Sequence, residues 1–349
     1  MGDPRGHPER GAGPPRPAAP PRPAAQSFSR SARLVAGPQG SVRRPIAFLV
    51  VAVIVSALVS PAFLTVANAR ALLAGSSFLV VVTVGEALVV LVGGIDLGVE
   101  SMLAASGMFV AALYVLQGMS TAASVLLCLG SGIVVGALAG LLVARARVPS
   151  FIVTLGTYWG FRGVALLFNS GNYISPDAVQ PARPFGFSWM AGTVGGVPTL
   201  VILMVLVVAA GQALVSFTPL GIWIRATGSS EEAARATGVR TVTVKALVFA
   251  LSGLLAALSG VMITAWQQSI YPLTGQGYSL QAIAAVILGG IPFSGGRGSV
   301  VGAALGALVI GLINDMIVLV GLPAQYEYIF VAAVLVLAGL QTRGGRFVK

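Results

Sequence analysis

The sequence predicts an all-α polytopic membrane protein of nine or ten transmembrane helices, with broken or re-entrant segments in two pseudo-repeated halves. Three observations predict it. Hydrophobic residues make up 56% of the 349 residues and charged residues only 9%, with a mean hydropathy of +0.92, values that belong in lipid rather than water. Apolar runs close to the ~20 residues that span a bilayer recur along the chain. Glycine supplies 45 residues, costly in soluble helices but useful where helix backbones approach closely in lipid.

Residues 1–44 precede the first run and hold eight Arg against two acids among Pro, Gly and Ala. That composition predicts a disordered basic tail. Much of the formal charge of +11 resides there, which points to anionic lipid beside a flexible tail and not to nucleic acid. The stretch is long and lacks a compact apolar core with a cleavage site behind it, so it does not read as a signal peptide.

The spans follow at 46–64, 73–92, 101–117, 122–144, 150–169, 199–217, 244–266, 299–321 and 325–341. A shorter run, 281–293, is broken by Gly289, Gly290 and Pro292. It is either a brief crossing or a re-entrant half-helix, tolerable in lipid only where protein or water covers its backbone. The membrane domain is thus 45–341, with residues 342–349 a short tail. Lys and Arg beside the spans set the orientation. Arg43 and Arg44, Arg145 and Arg147, and the 218–243 loop with Arg225, Arg235 and Arg240 fall on the cytoplasmic side, and Arg343, Arg346 and Lys349 do so too if 281–293 crosses. Both termini are then cytoplasmic, in a cell (plasma or inner) membrane. Three small-residue stripes, Gly132/Gly136/Gly140, Gly298/Gly302/Gly306 and Ser252/Ala256/Gly260, predict close helix packing.

The loop at 218–243 carries one polar stretch, residues 229–238. Ser229 with Glu232 has capping-box spacing, the alanines Ala233, Ala234 and Ala236 favour helix, and Gly238 supplies a stop. Glu231 and Glu232 at the start, with Arg235 and Arg240 near the end, match the helix dipole. With no apolar stripe to bury in its own protein, this helix reads as a docking element or as a solvated connector.

Leu91-Val92-Gly93-Gly94-Ile95-Asp96 is echoed by Ile287-Leu288-Gly289-Gly290-Ile291-Pro292. Repeated halves whose broken segments meet near the midplane are a transporter signature; the alternative is a tight Gly-Gly turn between helices. Charges near hydrocarbon are few. Glu86 lies inside a span, where it is protonated, paired with an Arg or facing a polar passage. Asp96 can accept backbone hydrogen bonds and fix the first break. Arg162 either snorkels outward or pairs with a carboxylate such as Asp177. Asp315 and Glu327 flank the last outer loop, in solvent or at the interface. The single Cys128 and single His7 allow neither an internal disulfide nor a metal cluster or Ser/His/Asp constellation, which argues against an enzyme.

Four stretches in order, Gly93-Gly94-Ile95-Asp96-Leu97, residues 148–157 (VPSFIVTLGT), residues 231–239 (EEAARATGV), and Gly289-Gly290 with residues 294–299 (SGGRGS), resemble the ribose-type family of ATP-binding-cassette (ABC) importer permeases. The resemblance covers roughly 45–341. It implies a type II importer-like permease that translocates a monosaccharide or related polyol. It further implies pairing with a second copy or a similar permease, two cytoplasmic ATPase subunits, and an extracytoplasmic sugar-binding protein. No cofactor is implied for this chain, because ATP and Mg would be bound by the partner ATPases. Glu232, Ala233, Ala234 and Gly238 match the family's ATPase-coupling motif, with Glu231 and Arg235 at its rim. Phe151, Thr154 and Arg162 match positions in the fifth span, and Asp96 matches the acid after Gly-Gly. Glu86, Glu100 and the tail depart from the family pattern. A sugar path needs hydroxyl-bonding groups beside apolar surface, which singles out Thr83, Thr154, Thr157, Asn169 and Trp159. Together with Glu86, Asp96 and Phe151 they make the candidate translocation path, and Gly93, Gly94, Gly289 and Gly290 its helix breaks. Alternatives are a same-superfamily permease for branched-chain amino acids or nucleosides, and a stand-alone secondary transporter using Glu86 as a proton site.

Overall fold

A computed structural model describes residues 2, 42–178, 184–323 and 325–343. Apart from residue 2, the basic tail up to residue 41 lies outside them, as do residues 344–349. In chain order the helices are α1 (Arg43–Val59), α2 (Val66–Leu91), α3 (Val99–Ala111), α4 (Thr121–Arg145), α5 (Ser150–Leu167), α6 (Thr199–Phe217), α7 (Pro219–Ser229), α8 (Glu231–Ala236), α9 (Thr241–Gln267), α10 (Tyr278–Leu288), α11 (Val300–Leu319) and α12 (Tyr326–Arg343). The only sheet among the described residues is a hairpin, β1 (Thr193–Val194) antiparallel to β2 (Val197–Pro198). Its turn residues Gly195 and Gly196 both have positive φ, as a two-residue hairpin turn demands.

Seven helices are long and apolar enough to cross a membrane: α2, α3 with its continuation to Leu116, α4, α5, α6, α9 and α11. The chain is an all-α polytopic membrane protein. Helix α2 forms its axis. From Phe78 to Leu91 every residue of α2 is buried, and the helix packs against α9, α11, α6 and α10.

The small-residue stripes explain how the helices seat. A β-carbon on Gly132 would come within 2.6 Å of the Gly253 carbonyl oxygen, one on Gly140 within 2.8 Å of Ala246 Cα, and one on Gly136 would strike the Phe249 carbonyl. Helices α4 and α9 therefore touch backbone to backbone. Gly302 and Gly306 do the same for α11 against Gly289 and Ala285. Gly298 stands before α11 and not on it, so that stripe is two residues long instead of three.

Helix α10 has 11 residues, about 16 Å at 1.5 Å per residue and roughly half the hydrocarbon thickness. Its far end lies beside the end of α2, because the loop that follows places the Gly296 amide 2.9 Å from the Leu91 carbonyl oxygen. Helix α9 starts at this same end, where Arg235 of α8 donates to the Thr241 hydroxyl. Residues 268–290 therefore return across the bundle as an irregular loop followed by a half-helix. The two alternatives for 281–293 merge into one composite pass. Helix α3 is built likewise, as non-helical residues 94–98 leading into a helix at Val99.

Candidate functional site

Helices α7 and α8 form a ledge at one end of the bundle, with its polar residues on α8. Helix α7 starts with Thr218 as cap and Pro219 in the first turn, and runs through Ser229, whose hydroxyl donates to the Arg225 carbonyl at 2.8 Å. The cap of α8 is consequently Ser230, which accepts from the Ala233 amide at 3.3 Å. The expected capping box of Ser229 with Glu232 does not form: with α7 continuing through Ser229, the extended residue that a cap requires is Ser230. Gly238 closes the helix at φ +88°, with the Val239 amide on the Ala234 carbonyl.

Glu231 is tied to its own chain. Its Oε1 accepts from Arg235 at 2.9 Å and its Oε2 from Lys245 of α9 at 2.5 Å. Partial burial pushes this carboxyl up, but Lys245 and Arg235 outweigh it and hold the group below the usual carboxylate range. Glu232, Ala233, Arg235, Ala236 and Gly238 are exposed, whereas Ala234 points into the protein. Ala234, one of the residues that match the coupling motif, seats α8 on the bundle. Between this ledge and the α4–α5 turn lies a cleft of about 500 Å³, lined by Gly93, Gly94, Arg147, Ser150, Glu231, Arg235 and Lys245 among others.

The ledge abuts the end of α2 beside the first Gly-Gly break and the loop that follows the second. A β-carbon on Gly228 of α7 would strike the Leu91 carbonyl oxygen and come within 2.7 Å of the Gly296 amide. The breaks themselves are glycine-terminated helix ends. In the first, Gly93 takes φ +86° and the Gly94 amide reaches Val89; in the second, Gly290 takes φ +89° and the Ile291 amide reaches Val286. The echo is thus offset by one residue: the first glycine turns the chain in one copy, the second in the other. Gly289 serves packing instead, since its β-carbon would lie 2.5 Å from the Ala303 backbone.

Between these breaks the buried polar groups are knitted together. Asp96 Oδ1 accepts from the Gly98 amide at 2.9 Å, its Oδ2 accepts from the Ser252 hydroxyl at 3.0 Å, and its own amide donates to Glu86 Oε1 at 3.1 Å. Glu86 is fully buried and has no Arg partner among the described residues; its Oε2 makes no hydrogen bond. Glu100, 3% exposed, pairs with Arg162, 6% exposed, at 3.0 Å. Arg162 therefore neither snorkels nor reaches Asp177. The Glu100 carboxylate approaches it from α3, inside the bundle.

Residues 68–339 match the family described as branched-chain amino acid transport system / permease component. The chain is 38% identical over 295 residues to a ribose import permease of Escherichia coli (strain K12), covering 84% of this chain and 91% of that one. It is 34% identical over 258 residues to a fructose import permease of Bifidobacterium longum (strain NCC 2705), covering 73% and 71%. To an autoinducer 2 import system permease of Yersinia pestis (strain Pestoides F) it is 34% identical over 274 residues, covering 78% and 75%. The chain is a ribose-type ABC importer permease. No solved structure matches it.

In this permease the predicted path residues fall into two groups. Phe151, 52% exposed, Trp159, 67% exposed, and Asn169 lie on the outer surface of α5 and just after it. Glu86, Asp96, Thr83 and Thr154 are buried, and both threonine hydroxyls are spent on backbone carbonyls, Thr83 on Leu79 and Thr154 on Ser150 and Ile95. Thr157 is half-buried and donates to the Thr154 carbonyl. Asp315 accepts from Asn68 of α2 at 2.9 Å, and Glu327 accepts from Gln281 of α10, so both acids hold helices together. Sequence reasoning missed Ser252 as the Asp96 partner and Glu100 as the Arg162 partner; the pairs lie 156 and 62 residues apart, and no local pattern signals them.

Proposed function

We propose that this permease imports a neutral monosaccharide or related polyol, delivered by an extracytoplasmic binding protein and driven by cytoplasmic ATPase subunits docked on α8. The observation that carries the reading is the 38% identity to a ribose import permease along 84% of the chain. The buried chemistry supports a neutral cargo. A half-helix N-terminus is where a transporter holds a substrate carboxylate, and in α10 the amides of Gly277 and Ser279 are filled by Glu100 at 3.0 and 3.2 Å. An amino-acid cargo would have to displace that side chain.

In this reading both termini and the α7–α8 ledge are cytoplasmic, and the exposed α5 face meets a second permease copy or a similar chain around the path. The chain hydrolyses nothing and needs no cofactor of its own. ATP-driven closure of the partners would draw the two α8 helices together. Gly228, seated on Leu91 and Gly296, would pass that motion to the first break and to the loop that follows the second.

Uptake of labelled ribose into proteoliposomes holding permease, ATPase and binding protein tests this. Ribose, fructose and neutral polyols should compete and leucine should not. Competition by leucine alone would transfer the reading to amino-acid transport. Glu232→Arg combined with Gly238→Pro should abolish both ATPase co-purification and uptake, because Pro fixes φ near −65° and cannot adopt +88°.

A further inference from the structure

Three segments that are distant in sequence, 97–100, 158–162 and 272–279, converge on one buried ion pair. Glu100 sits in the first turn of α3. Its Oε1 accepts from Arg162 Nη2 at 3.0 Å, and its Oε2 accepts from the amides of Gly277 at 3.0 Å and Ser279 at 3.2 Å, at the start of α10. Arg162, from the buried side of α5, also donates through Nη1 to the Pro272 carbonyl at 2.6 Å, and its guanidinium lies 5.7 Å from the Tyr158 ring centroid. The Ser279 hydroxyl donates to the Leu97 carbonyl at 2.8 Å, closing the same junction from the other side.

A buried ion pair adds little to stability over apolar packing, because the loss of hydration offsets the attraction, yet removing one partner strands the other charge. What distinguishes this pair is what it joins. The same helix α5 also bears the exposed Phe151 and Trp159. Helix α10 runs from the clamp to Gly289 and Gly290, and the loop beyond reaches Leu91 and Gly228. The Glu100–Arg162 pair is therefore the junction between α5 and the segment that touches the α7–α8 ledge.

We propose that Glu100 and Arg162 are positioning residues for transport: their ion pair, with Glu100 on the α10 amides, fastens the first turn of α10 to α5 so that the two move as one body. The proposal rests on the importer reading above. It carries an asymmetry that an ordinary ion pair lacks. Position 100 must hold an acceptor, because it faces two backbone donors at the positive end of a helix as well as a guanidinium. Exchanging the charges would aim a cation at those amides.

The test uses the complete importer in proteoliposomes, reading ribose uptake, ATP hydrolysis and ATPase co-purification together. Glu100→Ala should lower the maximal uptake rate by about 10-fold or more, with hydrolysis and co-purification within about 2-fold of wild type. Formate, small enough to accept from Arg162 and both amides, should restore most of that loss in Glu100→Ala and leave the wild type unchanged. The double exchange Glu100→Arg with Arg162→Glu should stay inactive. If Glu100→Ala does not insert, the isosteric Glu100→Gln carries the same test, with an intermediate loss expected. Wild-type uptake in Glu100→Ala or Glu100→Gln would overturn the proposal, as would full activity of the double exchange or a loss that formate does not relieve. Failure of the wild-type chain to retain any ATPase would instead overturn the importer reading, and is read before any variant.

Discussion

Gly228→Ala is the smallest change that should uncouple this permease. The added β-carbon would strike the Leu91 carbonyl oxygen and lie 2.7 Å from the Gly296 amide nitrogen and 3.0 Å from the Leu91 carbonyl carbon. All three are backbone atoms, so no side chain can rotate away. Carbon contacts relax at about 3.5 Å, and the Leu91 oxygen is the nearest atom, so α7 must back off from the break by more than ~1 Å. Overpacking of this kind costs about 1–3 kcal/mol, which at tenfold per 1.4 kcal/mol is ~5- to 150-fold in the population with α7 seated. Proteoliposome uptake per ATP hydrolysed should fall within that range, while co-purification of the ATPase persists because the exposed surface of α8 is untouched. Gly130→Ala, whose β-carbon would meet nothing within 4 Å, is the matched control and should be neutral or slightly stabilising. Wild-type coupling in Gly228→Ala, or equal damage from Gly130→Ala, would refute the argument.

Other outcomes follow from the same geometry. Gly136→Val should lower the thermal midpoint of the detergent-solubilised permease, by about 1–3 kcal/mol of overpacking against Phe249 and Ala250; an unchanged midpoint would mean α4 and α9 are not in backbone contact. Glu86→Gln should keep uptake within about 2-fold of wild type, since the amide oxygen can still accept from the Asp96 amide. Its abolition with the ATPase still bound would favour a proton-driven carrier. Glu231 is held below its unfolded value by Lys245 and Arg235 against the opposing effect of burial. A depressed folded pKa contributes stability above the unfolded value and loses it as pH falls through the folded one. The difference in thermal midpoint between wild type and Glu231→Gln should therefore be constant above about pH 5 and shrink as pH drops below ~4. A difference that persists in acid would show that Glu231 acts through packing.

Much of the fold is legible because lipid demands long apolar runs, and each clear run contributes a helix. Helix α7 was equally legible in principle, from Thr218 before Pro219, the usual cap followed by a first-turn proline. Two adjacent serines blurred the next boundary: either can cap, and the choice of Ser230 depends on how far α7 extends. The offset between the Gly-Gly turns was not readable either. It depends on Gly289 lying against Ala303, a tertiary approach that forces the turn onto Gly290. The coupling motif was recognisable as a local string, whereas the burial of Ala234, the Asp96–Ser252 bond and the Glu100–Arg162 pair come from helices meeting across the bundle. Sequence periodicity carries no information about such partners when nearly every face of a helix is apolar.

The central claim is that this chain moves a neutral sugar only when an ATPase acts through the α7–α8 ledge. ATP-dependent uptake of labelled ribose by the purified permease, reconstituted with its ATPase and binding protein, tests it most directly. The account predicts uptake that requires all three components and ATP, and that is lost in Glu232→Arg/Gly238→Pro. Uptake by the permease alone, driven by a proton gradient and indifferent to that double substitution, would contradict it.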